Sequence, residues 1–112
     1  MRKKVMIVVD CDPRQSPRAA EALRVAAGLA AWMTNELTVC LMGPAAMLLP
    51  TNEDLIGDED IRMAWPVLRE ARAAVFVDAI PPTDCLATYT ARQITPPEFA
   101  RLAGEVDCLL RF

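Results

Sequence analysis

Residues 4–9, KVMIVV, decide the fold. After Lys4 every position is apolar, valine dominates, and apolar and polar residues never alternate. A strand with one wet face alternates with period two. A strand without that alternation is covered on both faces, as the central strands of a parallel sheet are. Residues 37–42, LTVCLM, and 74–78, AVFVD, repeat the pattern, and residues 106–112, VDCLLRF, are mostly hydrophobic up to the last position.

Between these runs the period changes. Beyond the loop DCDPRQS, Ser16 as N-cap and Pro17 at the first helical position start a helix predicted to reach about Met33. It is alanine-rich, and Arg18, Glu21 and Arg24 mark its one wet stripe. Cover is therefore needed on more than one side, the second side being assigned to another subunit. Asn35 suits the left-handed residue that closes this helix. Gly43-Pro44 turns the chain into a short apolar helix over Ala45–Leu49, halted by Pro50. The acidic stretch Thr51–Asp60 reads as an exposed, mobile loop. Ile61–Arg72 reads as helical, with Pro66 starting its second half or kinking it. Thr95-Pro96-Pro97-Glu98 forms a capping box, and Gly104 ends the helix it opens. Strands alternating with helices predict a three-layer α/β/α sandwich around a mostly parallel sheet of about five strands, in one domain over residues 1–112.

Composition narrows the function. With 112 residues there is material for one core, and a net charge of −3 offers no basic footprint for nucleic acid. No apolar run approaches the ~20 residues of a membrane helix. The opening MRKKVMIVVD has the basic head and apolar run of a signal peptide, but the run stops at Asp10, so a cytoplasmic protein is expected. In that reducing compartment the four cysteines, Cys11, Cys40, Cys85 and Cys108, are expected as free thiols. No pair has the spacing of a structural zinc site, and the chain contains no histidine. Ser-His-Asp and Cys-His catalysis and imidazole ligation are therefore excluded, and the sequence calls for no cofactor.

In an open α/β sheet, ligands bind at the carboxyl ends of the strands. Two loops there carry reactive residues: Asp10-Cys11-Asp12, and Asp78 through Cys85. In residues 84–92, DCLATYTAR, Cys85 opens what reads as a short helix, with Thr83 as N-cap. A first-turn cysteine gains from the helix dipole and the free N–H groups, which favour the thiolate. Arg92 returns toward it in support, while Asp84 opposes. The competing reading is a half-buried packing cysteine. Cys11 is the rival thiol, disfavoured because Asp10 and Asp12 flank it. Cys40 and Cys108, inside apolar strands, are expected in the core. Asp10, Asp12 and Asp78 form a candidate carboxylate cluster for a divalent cation, set against the reading that the sequence favours, aspartates capping loops in Asx turns. Trp32 and Trp65 are expected in the core or at a subunit interface.

This order of elements resembles the DsrE/DsrF-like family of small sulfur-relay proteins (the TusD/TusC/TusB type). KVMIVVD followed by SPRAAEALRVAAGLAAW is similar to the family's first strand and long helix. LTVCLMGPAAMLL is similar to its second strand and glycine turn, and FARLAGEVDCLLRF to its closing helix and strand. CLATYTARQI resembles the segment holding the reactive cysteine, placing Cys85, Ala87, Arg92 and Ile94 on its positions. The resemblance implies that Cys85 accepts a persulfide sulfur and passes it to a partner, with sulfur donor and acceptor proteins as partners. It also implies a homo-oligomer, a trimer or a hexamer of trimers. The alternative it leaves open is a non-catalytic oligomer with a structural or small-ligand-binding role.

Overall fold

Parallel pairing organises the chain. A computed structural model describes residues 3–32, 35–49, 59–78 and 91–112. Its strands are β1 (Lys3–Val9), β2 (Asn35–Leu41), β3 (Ala74–Val77), β4 (Ala91–Gln93) and β5 (Cys108–Arg111). They join in the order β4-β3-β2-β1-β5, and every neighbouring pair is parallel. The helices are α1 (Arg18–Ala31), α2 (Glu59–Glu70) and α3 (Pro96–Glu105), with a 3₁₀ helix over Gly43–Leu48. The three-layer sandwich follows from the connections. Steps from β1 to β2 to β3 move one way across the sheet, so right-handed crossovers put α1 and α2 on one face. The step from β4 back past β1 to β5 runs the other way and puts α3 on the opposite face.

The two faces of β1 show why its sequence does not alternate. Val5, Ile7 and Val9 pack with α1 and α2 side chains, while Met6 and Val8 pack with Cys40 against Phe99, Leu102 and Val106 of the α3 layer. Burying a Leu, Ile or Val side chain is worth about 1.5–3 kcal/mol, and Met6, Ile7, Leu23, Leu41 and Leu68 have no exposed surface at all. Alanines at 19, 22, 26 and 30 keep the buried side of α1 small, so that it lies close against its neighbours. Within this chain, α2 packs along α1 and gives it a second cover beside the sheet.

The helix ends differ from expectation in instructive ways. Pro17 already has helical angles (φ −70°, ψ −10°), and the Ser16 hydroxyl accepts from the Arg18 N–H at 3.2 Å, so the start signal operates one residue before the regular helix. Asn35 does not close α1 in the left-handed region. It opens β2, and its side-chain amide donates to the Leu29 carbonyl at 3.2 Å. The left-handed closing residue belongs instead to α2: Arg72 has φ +58°, and the Ala73 N–H reaches back to the Leu68 carbonyl at 3.0 Å. Helix α2 begins at Glu59, inside the stretch expected as loop, and carries Pro66 within it. The rest of the acidic stretch, residues 51–58, lies outside the described residues. The capping box of α3 forms as expected, with the Thr95 hydroxyl and the Glu98 side chain bonded reciprocally. Those bonds from Thr95 hold the Glu98 carboxyl below the ordinary glutamate range. Gly104 lies inside the last turn, and the helix runs on to Glu105.

The two tryptophans part company. Trp65 is buried and its indole N–H donates to the Leu48 carbonyl at 2.9 Å, tying α2 to the end of the 3₁₀ helix. Trp32 is 75% exposed, which removes it from the core. Replacing Trp65 by Phe leaves the Leu48 carbonyl without that donor, and an orphaned buried polar group costs about 1–3 kcal/mol. Urea unfolding is therefore expected to show Trp65→Phe destabilised by roughly that amount. Trp32→Phe should unfold at the same midpoint as the parent chain.

Candidate functional site

All five strands point their carboxyl ends to one rim, and short backbone bonds lock it together. The Met42 N–H donates to the Val9 carbonyl (2.8 Å), the Ile94 N–H to Val77 (2.8 Å) and the Phe112 N–H to Val8 (2.8 Å), while the Asp10 N–H donates to Phe112 (3.1 Å). Asp10, Cys11 and Asp12 after β1, Met42-Gly43 after β2, Asp78 after β3 and Arg111-Phe112 at the end of β5 thus share one edge.

Among the described residues, each aspartate on this rim has its own partner. Arg111 grips Asp10 with Nε at 3.0 Å and Nη2 at 2.6 Å, both on Oδ2. Asp12 takes the Arg14 backbone N–H at 2.9 Å in an Asx turn, with the Arg14 guanidinium at 3.1–3.2 Å. Hydrogen bonds from the Arg14 side chain, then from its backbone, hold the Asp12 carboxyl below the ordinary aspartate range. Both Asp78 oxygens lie 3.0 Å from the Gly43 N–H. Gly43 has φ +56°, a conformation that costs glycine little and other residues more, so this short turn holds its amide toward the end of β3. The Asx-turn reading holds for Asp12, whereas Asp10 pairs with Arg111 and Asp78 accepts from the Gly43 amide. Among the described residues, no three acidic or thiol groups gather closely enough to hold a metal ion.

The thiols separate by environment. Cys85 lies outside the described residues, in the span between Asp78 and Ala91. Cys11 is half-buried on the rim and packs against the α1-side core. Its flanking aspartates are each paired with an arginine, so the net negative surroundings expected from the sequence are largely cancelled. Cys40 is fully buried, and burial alone pushes its thiol up to about 11. Cys108 is exposed at the start of edge strand β5, which corrects its assignment to the core: among the described residues no further strand lies beside β5 in the sheet. Arg92 stands in β4, opposite Phe76, and is solvent-exposed, so the helix read from Cys85 does not extend to it.

One rim residue escaped the sequence reading. Arg111 sits 101 positions from Asp10, and the two meet only because β5 pairs with β1. The available signal was a single charge inside the otherwise apolar run CLLRF. Beside this pair lies a cavity of about 390 Å³, lined by Val8, Asp10, Met42, Phe99, Leu109 and Arg111. A second cavity, of about 300 Å³, opens between the ends of α1 and α2.

No family model matches the chain, and no curated protein matches it in sequence. The fold has a counterpart in the solved structure of the ychN protein from E. coli. The two superpose with a TM-score of 0.77 over 100% of both chains, at 20% sequence identity. At that identity the likeness shows the fold alone, and the three-layer α/β/α sandwich around a five-stranded parallel sheet is the architecture expected from the sequence.

Thiol reactivity should follow these environments. In a Cys85→Ser background at neutral pH, iodoacetamide should modify Cys108 first and Cys11 more slowly. Cys40 should stay unmodified until the chain unfolds, since the buried neutral thiol is neither reachable nor ionised. Peptide mass mapping reads the order, and early labelling of Cys40 in the folded state would contradict it.

Proposed function

We propose that this chain is a single DsrE/DsrF-like domain over residues 1–112 that carries sulfur in the cytoplasm, with Cys85 as the persulfide acceptor. The observation that carries this reading is whole-length fold similarity combined with the place of Cys85 in the sequence. The span that holds it leaves the carboxyl end of β3 at Asp78, on the edge where sheets of this kind bind their ligands. The chain has no histidine, and thiolate exchange is chemistry that needs none.

In the first step the Cys85 thiolate attacks the outer sulfur of a donor persulfide. A new S–S bond forms on Cys85, the donor's S–S bond breaks, and the donor leaves as a thiolate. In the second step an acceptor thiolate attacks the outer sulfur now on Cys85, which is released as the thiolate again. Two-electron bookkeeping closes without an external oxidant or reductant. Arg92 is assigned to support the negative charge from β4, and Cys11 on the rim is the rival thiol. The donor and the acceptor are proteins that dock at the rim. The chain works as a homo-oligomer, a trimer or a hexamer. This is supported by large apolar side chains that it leaves in water, with Trp32 75% and Met63 60% exposed. A stable monomer in light scattering at micromolar concentration would remove the oligomer from the proposal.

Exposure to a low-molecular-weight persulfide donor is expected to add one sulfur mass to the parent chain, read by intact-mass spectrometry. Cys85→Ser should stay folded and take up none, and Cys11→Ser should label like the parent. Label that vanishes with Cys11→Ser instead would move the acceptor to the end of β1. Sulfur uptake only under denaturing conditions would favour the non-catalytic oligomer.

A further inference from the structure

We propose that the cavity beside the Asp10–Arg111 pair binds a small aromatic anion. Its volume of about 390 Å³ lies within the roughly 300–1,000 Å³ of small-molecule sites. It also lies where such a site is expected in this topology. Going outward from β1, the sheet continues on one side through β2 and on the other through β5, and the layers that connect them lie on opposite faces. The carboxyl ends of adjacent strands at such a switch point leave a crevice. Here its walls are Val8, Met42, Phe99 and Leu109. Val8 and Arg111 stand opposite one another in the β1–β5 register, and Leu109 lies two residues before Arg111 on the same face of the sheet. Leu109 remains 42% exposed, so apolar surface faces water at this point.

The walls select the body of the ligand. A phenylalanine ring and a methionine thioether both favour contact with aromatic faces, and valine and leucine add apolar area. The rim selects the head. A guanidinium has five N–H donors; Asp10 engages Nε and Nη2 through a single oxygen, and among the described residues nothing else is bonded to the remaining donors. The Arg111 side chain is 72% exposed, so an incoming anion can reach them. A cationic head could meet only Oδ1 of Asp10 and would be repelled by the guanidinium already held on Oδ2, whereas an anionic head adds to Arg111 without breaking that pair. Carboxylates and sulfonates on an aromatic body fit both requirements. Asp10 is the balancing element: it fixes the guanidinium in place and weakens its pull on a second anion, and the pull that remains should be screened as salt is raised.

Among the described residues no cysteine lines this cavity, and the inference does not rest on sulfur transfer, so each can fail without the other. The test uses anilinonaphthalene sulfonate, an aromatic anion whose fluorescence rises when it leaves water. One equivalent per chain is expected to bind the parent protein. Amide shifts should be centred on Val8, Met42, Phe99 and Leu109 in a two-dimensional nuclear magnetic resonance titration. Arg111→Gln should weaken binding about tenfold or more, Leu109→Glu should abolish it, and Trp32→Ala and Cys85→Ser should bind like the parent. Arg111 and Leu109 are both exposed, so these variants are expected to keep the parent's circular dichroism. The shift map on the unmodified chain decides the matter in any case. Shifts centred instead on the α1–α2 cavity, binding lost with Trp32→Ala but kept with Arg111→Gln, or no binding at all would each overturn the proposal.

Discussion

Everything in this structure hangs on β1 having no wet face. From Val5 to Val9 it is buried on both sides and bonded along both edges, to β2 and to β5. A strand in that position needs helices above and below, and parallel neighbours need crossovers that supply them. The Asp10–Arg111 pair exists because β5 returns to lie beside β1. The rim is rigid because Val8 and Val9 offer their carbonyls to Phe112 and Met42. A polar side chain at Ile7 would break this arrangement first, since it would face the α1 layer with no partner at hand.

The two helical layers are unequal. The α1–α2 side contains most of the fully buried residues, among them Leu23, Leu48 and Leu68. On the other side α3 is the one helix over the sheet among the described residues, and none of its own residues is fully buried. One helix cannot cover five strands, so Phe76 stays half-buried and Leu109 half-exposed, and the cavity opens at the edge of what α3 reaches. The thin layer is therefore the face with room for something else to bind, while the thick layer secures stability.

What could be read from the sequence tracks how each element is stabilised. β1, β2 and β3 are legible because burial on both faces writes continuous apolar runs into the chain. The capping box of α3 is legible because it is entirely local. β4 was not, since its three residues, Ala91, Arg92 and Gln93, include two exposed polar side chains and take their strand geometry from β3. Cys108 was misjudged for a related reason. Its apolar neighbours imply a core strand, yet β5 lies at the sheet's edge, and no local pattern reports strand order. At the rim, the loop-capping of Asp12 was readable two residues away in Arg14. The pairing of Asp10 depended on a contact across 101 positions and was not.

The rim's electrostatics bear on what chemistry the chain is suited to. Its aspartates are committed as acceptors, to Arg111, to Arg14 and to the Gly43 amide. With no histidine in the chain, no side chain titrates near neutrality by its ordinary nature, so proton transfer is a poor use of this edge. A thiolate needs no such partner to act as a nucleophile; it needs its own charge tolerated and a donor within reach. Pairing each carboxylate with a cation or an amide removes much of the repulsion that three free aspartates would direct at an anion there. That neutralisation is what an anionic ligand beside β5 would require, and the fold supplies it before the ligand is engaged.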